Sequence, residues 1–198
     1  MHAIATLEPS AAAVGQAKEE PLYEVINGQK VELPPMNIYA AWIASRLQSR
    51  IGPFVEAQGI GTVVTEGLFI LDPAKDLRRR PDVAFVSASN WLLDRPLPES
   101  GDWETIPDLA VEVVSPNDVF QDVLAKMREY FRMGVKQVWI VLPVDREIYI
   151  YESPKDLRIL TAEDDLEGGA LLPGLRLPVG SLFQRQPQTA PDGSPVPT

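Results

Sequence analysis

The sequence predicts an α/β (α+β) fold, one mixed β-sheet flanked by helices with an N-terminal β-hairpin. Asn27-Gly28 lies between two short strand-like runs, and this dipeptide readily takes the positive φ angles of a two-residue hairpin turn. Two stretches place apolar residues at helical spacing. Two further runs are apolar almost throughout over strand length, as in strands covered on both faces.

The hairpin strands are expected over 22–26 and 30–33. From 37 to about 50, Tyr39, Ile43, Leu47 and Ile51 recur every four positions around Ala40, Ala41 and Ala44, and Gly52-Pro53 follows. That spacing predicts an amphipathic helix stopped by the Gly-Pro pair. Strands are expected over 62–71 and 82–87, rich in Val, Phe and Ile and joined by the charged turn sequence DPAKDLRRRP. Residues 90–107, with Pro96, Pro98 and Gly101, form a long connection. The run 109–114 is a buried strand interrupted by one charge, Glu112. Ser115-Pro116-Asn117-Asp118 then opens a helix, with serine as N-cap, proline at the first helical position and an acid three residues on. That helix runs to about Met133, where Gly134 stops it. Residues 138–142 form a second buried strand, 143–146 turn, and 147–151 pair back by alternation.

The chain has 198 residues, 45% apolar and 23% charged, with no cysteine and one histidine, His2. Disulfide frameworks, thiolate zinc sites and cysteine nucleophiles are excluded together. A lone histidine at the extreme N-terminus also excludes histidine-dependent triads and HExxH zinc sites. Chemistry must therefore run on carboxylates, lysine, arginine or hydroxyls. A balance of 18 basic against 28 acidic side chains gives a formal net charge of −10, which opposes nucleic-acid binding unless a local positive field exists. The expected organisation is a flexible N-terminus over 1–19, one globular domain over 20–184 and a disordered Pro-rich tail over 185–198. There is no basic segment followed by an apolar leader, and no run approaches the ~20 apolar residues of a membrane span, so a cytoplasmic location is expected.

Asp82 and Glu112 begin or interrupt runs that are otherwise apolar, and burying an unpaired carboxylate costs on the order of several kcal/mol. Neighbouring strands lie ~4.8 Å apart, close enough for two such carboxylates to share a divalent cation with oxygen ligands at ~2.0–2.6 Å. Asp108 is a weaker partner for Glu112, because four residues along one strand separate the two by ~13 Å. It is expected as a turn residue entering the strand. Asp118, Asp122, Lys126 and Tyr130 follow at four-residue spacing and form one polar stripe, with Phe120, Leu124, Met127 and Phe131 on the neighbouring apolar face. Lys126 either stabilises charge on a scissile phosphate beside the two acids or forms a surface i, i+4 ion pair with Asp122 worth a few tenths of a kcal/mol.

RRRPDVAFVS, then PDLAVEVVSPND, then DVLAKMREYFRMGVKQVWIV, resembles the Uma-two family of restriction-endonuclease-like proteins, a large bacterial group with the PD-(D/E)XK nuclease fold. The resemblance covers roughly 23–183, from YEVINGQKVEL to LPGLRLPVGSLF. It implies a restriction-endonuclease-like core in which Asp82 is the Pro-Asp acid and Glu112 the acid of the (D/E)XK element. Val114 occupies the lysine position of that element. The family's lysine is taken to have moved to the following helix, which gives Lys126, with Tyr130 one turn further along. The implied chemistry is hydrolysis of DNA phosphodiesters with Mg²⁺ or Mn²⁺ held by Asp82 and Glu112. Many relatives carry a histidine at the start of the first helix, where this chain has Asn37-Ile38-Tyr39-Ala40. Glu24 matches the family's YE-x-x-x-G pattern and is either a further acid of the site or an exposed hairpin glutamate.

Arg78, Arg79 and Arg80 precede Asp82 directly; they either lead a phosphate backbone towards the site or form a charged hairpin loop. Arg46 and Arg50 are expected on a solvated helix face. Glu163, Asp164, Asp165 and Glu167 lack EF-hand spacing and are expected in a solvated loop. Trp139, Tyr149 and Tyr151 belong to core and sheet packing, whereas Trp91 and Trp103 either anchor the long connection or mark an interface. The leading expectation is a metal-dependent endonuclease acting on DNA, with a homodimer by analogy to two-strand cutters. The alternative is a catalytically silent member of the same fold that serves as a binding or interaction module.

Overall fold

Tyr23–Ile26 (β1) and Gln29–Glu32 (β2) pair antiparallel around Asn27 and Gly28, whose φ angles are 51° and 76°. Both central residues are thus left-handed, as a type I′ turn requires. This computed structural model describes residues 21–99 and 101–184. The flexible N-terminus expected over 1–19 and the tail expected over 185–198 lie outside the described residues.

Helix α1 (Ile38–Gln58) starts where Asn37 accepts a hydrogen bond from the Ala40 N–H at 2.9 Å. It does not stop at Gly52-Pro53 but continues to Gly59, in the left-handed conformation at φ 61°. An interior proline removes a hydrogen bond and costs ~3 kcal/mol. Beyond it Val55 is buried and Phe54 packs against the same core, and apolar side chains, at ~1.5–3 kcal/mol each when fully buried, offset that cost.

The single strand expected over 62–71 is two strands, Gly61–Thr65 (β3) and Phe69–Asp72 (β4), because Glu66 turns the chain at φ 52°. They enter different sheets. The charged segment expected as a loop also corrects: after a short turn at Pro73–Lys75, Leu77–Arg79 form strand β5. β5 pairs with β4 and β1, giving an antiparallel sheet of order β2-β1-β5-β4.

The main sheet adds Val83–Ser87 (β6), Leu109–Val113 (β7), Gln137–Leu142 (β8), Glu147–Ser153 (β9) and Asp156–Leu160 (β10) in the order β10-β9-β8-β7-β6-β3. It is mixed, as expected: β7 and β8 run parallel, joined across one face by helix α2 (Phe120–Met133), and the other pairs are antiparallel. Asp165–Glu167 (β11) and Arg176–Pro178 (β12) pair beyond it, followed by Val179–Phe183 (α3), so part of the expected acidic loop is strand.

Helix α2 starts one turn later than Ser115 predicts. The Ser115 hydroxyl accepts from the Asn37 side chain at 3.0 Å, and the Ser115 N–H donates to the Asp118 carboxylate at 2.7 Å. The serine is therefore occupied within a closed turn, and Val119 precedes the helix without a side-chain cap. Trp91 and Trp103 are buried edge-to-face, with centroids 5.4 Å apart, and Trp103 exchanges backbone hydrogen bonds with Leu68 and Ile70. They anchor the long connection.

One face of the main sheet packs Val111, Val113, Trp139 and Val141 against the α1 stripe. The other packs Ala110, Val138 and Ile140 against Met127 and Tyr130 of α2. Trp139 is fully buried, as expected of core. Among the described residues no helix is long and apolar enough to cross a membrane.

Candidate active site

Strands β6 and β7 pair Val83 with Val111, and one step further along this antiparallel register Asp82 faces Glu112. Side chains alternate across a strand. With Val111 and Val113 committed to the α1 side, Glu112 projects to the α2 side. There its carboxylate accepts from Lys126 Nζ at 2.9 Å and from the Tyr130 hydroxyl at 2.7 Å. Lys126 Nζ also lies 2.8 Å from Glu24 Oε1. Glu24 in turn pairs with Arg79 at 2.6 Å and accepts from the Arg80 N–H at 2.9 Å, while Arg79 Nε bonds Glu129 at 2.5 Å. The outcome is an alternating chain of charges, Glu112, Lys126, Glu24, Arg79 and Glu129, with Glu24 buried and the others half-buried. Asp82 sits at its end, held by the Val113 N–H at 2.5 Å, with no ion-pair partner among the described residues.

The electrostatics follow from that order. Burial, and then the neighbouring Glu112 charge, push the Asp82 carboxyl up from 3.8 to about 8. Burial also acts to raise Glu24, but Lys126 and Arg79 outweigh it and hold this carboxyl below its ordinary value. For Glu112 burial prevails over Lys126, and Glu24 adds to the upward shift. Burial would lower Lys126, yet Glu112 and Glu24 together hold its ammonium above the usual range. Tyr130 is raised well above the ordinary phenol value, first by burial and then by the Glu112 charge.

A family model for Uma2, described as "Putative restriction endonuclease", matches residues 11–180. The chain belongs to the Uma2 family. A crystal structure described as "a putative nuclease belonging to DUF820", from Anabaena variabilis, superposes with a TM-score of 0.70 at 20% identity, covering 82% of this chain and 90% of that one. At that identity the likeness is one of fold. No curated protein matches the chain.

In this Uma2 chain the three residues singled out from sequence, Asp82, Glu112 and Lys126, line one cleft of ≈ 710 Å³. Tyr130 joins them through Glu112. Glu24, open between two assignments on sequence, is 3% exposed and part of the network. Asp122 lines the cleft but is exposed, and Lys126 pairs with Glu112 and Glu24 rather than with it. Asp108 stays apart, bonded to the Ser87 N–H at 2.7 Å and to Lys136 at 2.6 Å. The arginines divide. Arg78 pairs with Asp76 and Asp102, Arg79 is half-buried in the network, and Arg80 bonds the carbonyls of Tyr23 and Glu66. At the start of α1, Asn37 caps the helix and holds Ser115.

Glu129 and the structural use of Arg79 escaped sequence reasoning. The one available signal was that Glu129 lies three residues after Lys126, on an adjoining line of the same helix. Asp82 and Glu112 face each other across the β6–β7 register. No group of three or more acid, imidazole or thiol side chains among the described residues is arranged to hold a metal ion. Two carboxylates suit Mg²⁺, which keeps several waters and completes its shell with phosphate oxygens. Asp82, with no ion-pair partner among the described residues, is held protonated by burial and by the Glu112 charge, and a bound cation would favour its ionised form instead.

Proposed function

We propose that the chain is a divalent-cation-dependent endonuclease that hydrolyses DNA phosphodiester bonds, with Asp82 and Glu112 holding Mg²⁺ or Mn²⁺ and Lys126 serving the scissile phosphate. The observation that carries this is the convergence of Asp82, Glu112 and Lys126 on one cleft, with Lys126 Nζ 2.9 Å from Glu112. Membership of a family described as restriction endonucleases supports the reaction class. When bound, the ion supplies Lewis acidity towards the phosphate and lowers the pKa of a bound water.

The chain's own residues do the rest. The Val113 N–H fixes the Asp82 carboxylate, and Tyr130 fixes that of Glu112, so both acids are oriented before any ion arrives. Lys126 stays protonated because two carboxylates face it, which keeps a positive charge beside the phosphate as negative charge grows in the transition state. Incubating single-stranded and double-stranded circular DNA with Mg²⁺ or Mn²⁺ tests the proposal. Cleavage by the native chain and at least ~10²-fold less by Asp82→Ala is expected. Equal cleavage by both proteins would defeat it.

One observation favours the silent binding module: both Glu112 oxygens already carry hydrogen bonds. Calorimetric titration with Mn²⁺ separates the two readings. Binding that Glu112→Ala abolishes rules out a site that has lost its metal.

A further inference from the structure

The cleft is walled unlike a surface that grips duplex DNA. Its lining holds six carboxylates, Glu24, Glu32, Asp82, Glu112, Asp118 and Asp122, and only three cations, Arg79, Arg80 and Lys126. Arg79 and Lys126 are already paired with carboxylates of the protein. Arg80, which has no carboxylate partner among the described residues, donates to the backbone carbonyls of Tyr23 and Glu66. A duplex presents closely spaced phosphates on two strands, and its binding draws on many lysines and arginines. Here one bound cation, Arg80 and Lys126 provide for about one phosphate.

The side of the cleft formed between the hairpin and α1 has the opposite character. Val31, Leu33, Pro34, Pro35 and Met36 line it, with Glu32 the one charge in that run, and Val31 is 41% exposed. Across from it, the β7–α2 turn contributes Val114, Pro116 and Val119, the last 60% exposed. Bases in a duplex bury their faces against one another, whereas an unpaired strand offers them to apolar protein surface.

We infer that the cleft takes an unpaired DNA strand, with one phosphate at the Asp82, Glu112 and Lys126 floor and the flanking bases against the apolar hairpin wall. This rests on the nuclease function proposed above and adds the substrate form. Glu32, on β2 at the edge of that wall, is exposed and outside the charge network. It supplies a charge to reverse without touching the floor.

The test uses one labelled oligonucleotide, alone and annealed to its complement, with the full chain and Mn²⁺ over a series of KCl concentrations, and Asp82→Ala as the blank. Faster cleavage of the single strand is expected, by ~10-fold or more, with binding falling by a log-log salt slope of about −1, as for one or two phosphates. Glu32→Lys should narrow the gap by raising duplex cleavage. Duplex cut as fast as the single strand, a steep salt slope of about −5, or no gain of duplex cleavage in Glu32→Lys would overturn the inference while leaving the nuclease function intact. No Asp82-dependent cleavage of either form would defeat the nuclease function and this inference with it.

Discussion

The two faces of the main sheet are built from the same strands by opposite means. On the α1 side, Val111 and Val113 meet a helix with six buried apolar positions, Ala40, Ile43, Ala44, Leu47, Ile51 and Val55. On the α2 side, Ala110 and Glu112 meet a helix whose buried residues are Met127 and Tyr130. There the contact is completed by ion pairs, Lys126 to Glu112 and Glu24, and Glu129 to Arg79. One face is held by area removed from water alone; the other adds to its own apolar core a set of charges that must stay balanced. A single residue of alternation on β7 decides which is which.

The sharpest way to break this contrast is Lys126→Met. It leaves Glu112 without its cation and Glu24 with Arg79 alone, and an uncompensated buried charge costs about 3–5 kcal/mol. Urea unfolding of the variant should show that loss, together with loss of metal-dependent cleavage. Leu47→Ala on the other face should cost about 2–5 kcal/mol by leaving a cavity. Its folded fraction should cut DNA at the native rate, which separates packing from chemistry.

The sequence made these two faces unequally legible. Glu112 was conspicuous because it interrupts an apolar run, and Lys126 and Tyr130 because their spacing places them on one helix line. Glu24 was ambiguous because its partners arrive only when β1 docks on β5 and α2 packs over it, contacts that no local pattern encodes. The α1 stripe was visible, but its length was not, since Gly52-Pro53 is a stop signal that the packing of Phe54 and Val55 beyond it overrides. β10 was not anticipated because four of its five residues are exposed and no apolar alternation marks it.

A smaller effect comes from pH. Asp82 holds its proton in the folded chain up to about 8, whereas its ordinary value is 3.8. Between those values the folded state binds more protons, so the metal-free chain loses stability as pH rises through that window. Thermal melts should show that decline, flattened in Asp82→Asn, and Mn²⁺ should raise the melting temperature more at the alkaline end, where no proton competes with it. Glu24 has the opposite sign: its folded value is lowered, so its contribution is present above the ordinary carboxylate range and is lost on acidification. The smallest change is expected for Asp122→Ala. This exposed side chain has no ion-pair partner among the described residues, and its unfolding free energy should stay within about 0.5 kcal/mol of native.

The pairing of Glu24 with Lys126 has a consequence for how the molecule comes into being. The first hairpin leaves the ribosome early, and its acid remains without its lysine until α2 has been synthesised. Closing so long a stretch of chain carries an entropic cost that local elements do not bear. The Glu24–Lys126 pair is thus a non-local contact, of the kind that slows folding. A chain synthesised only as far as β7 holds Glu24 and Glu112 without the lysine that pairs with both, and the cleft gains that cation only when α2 packs on the sheet.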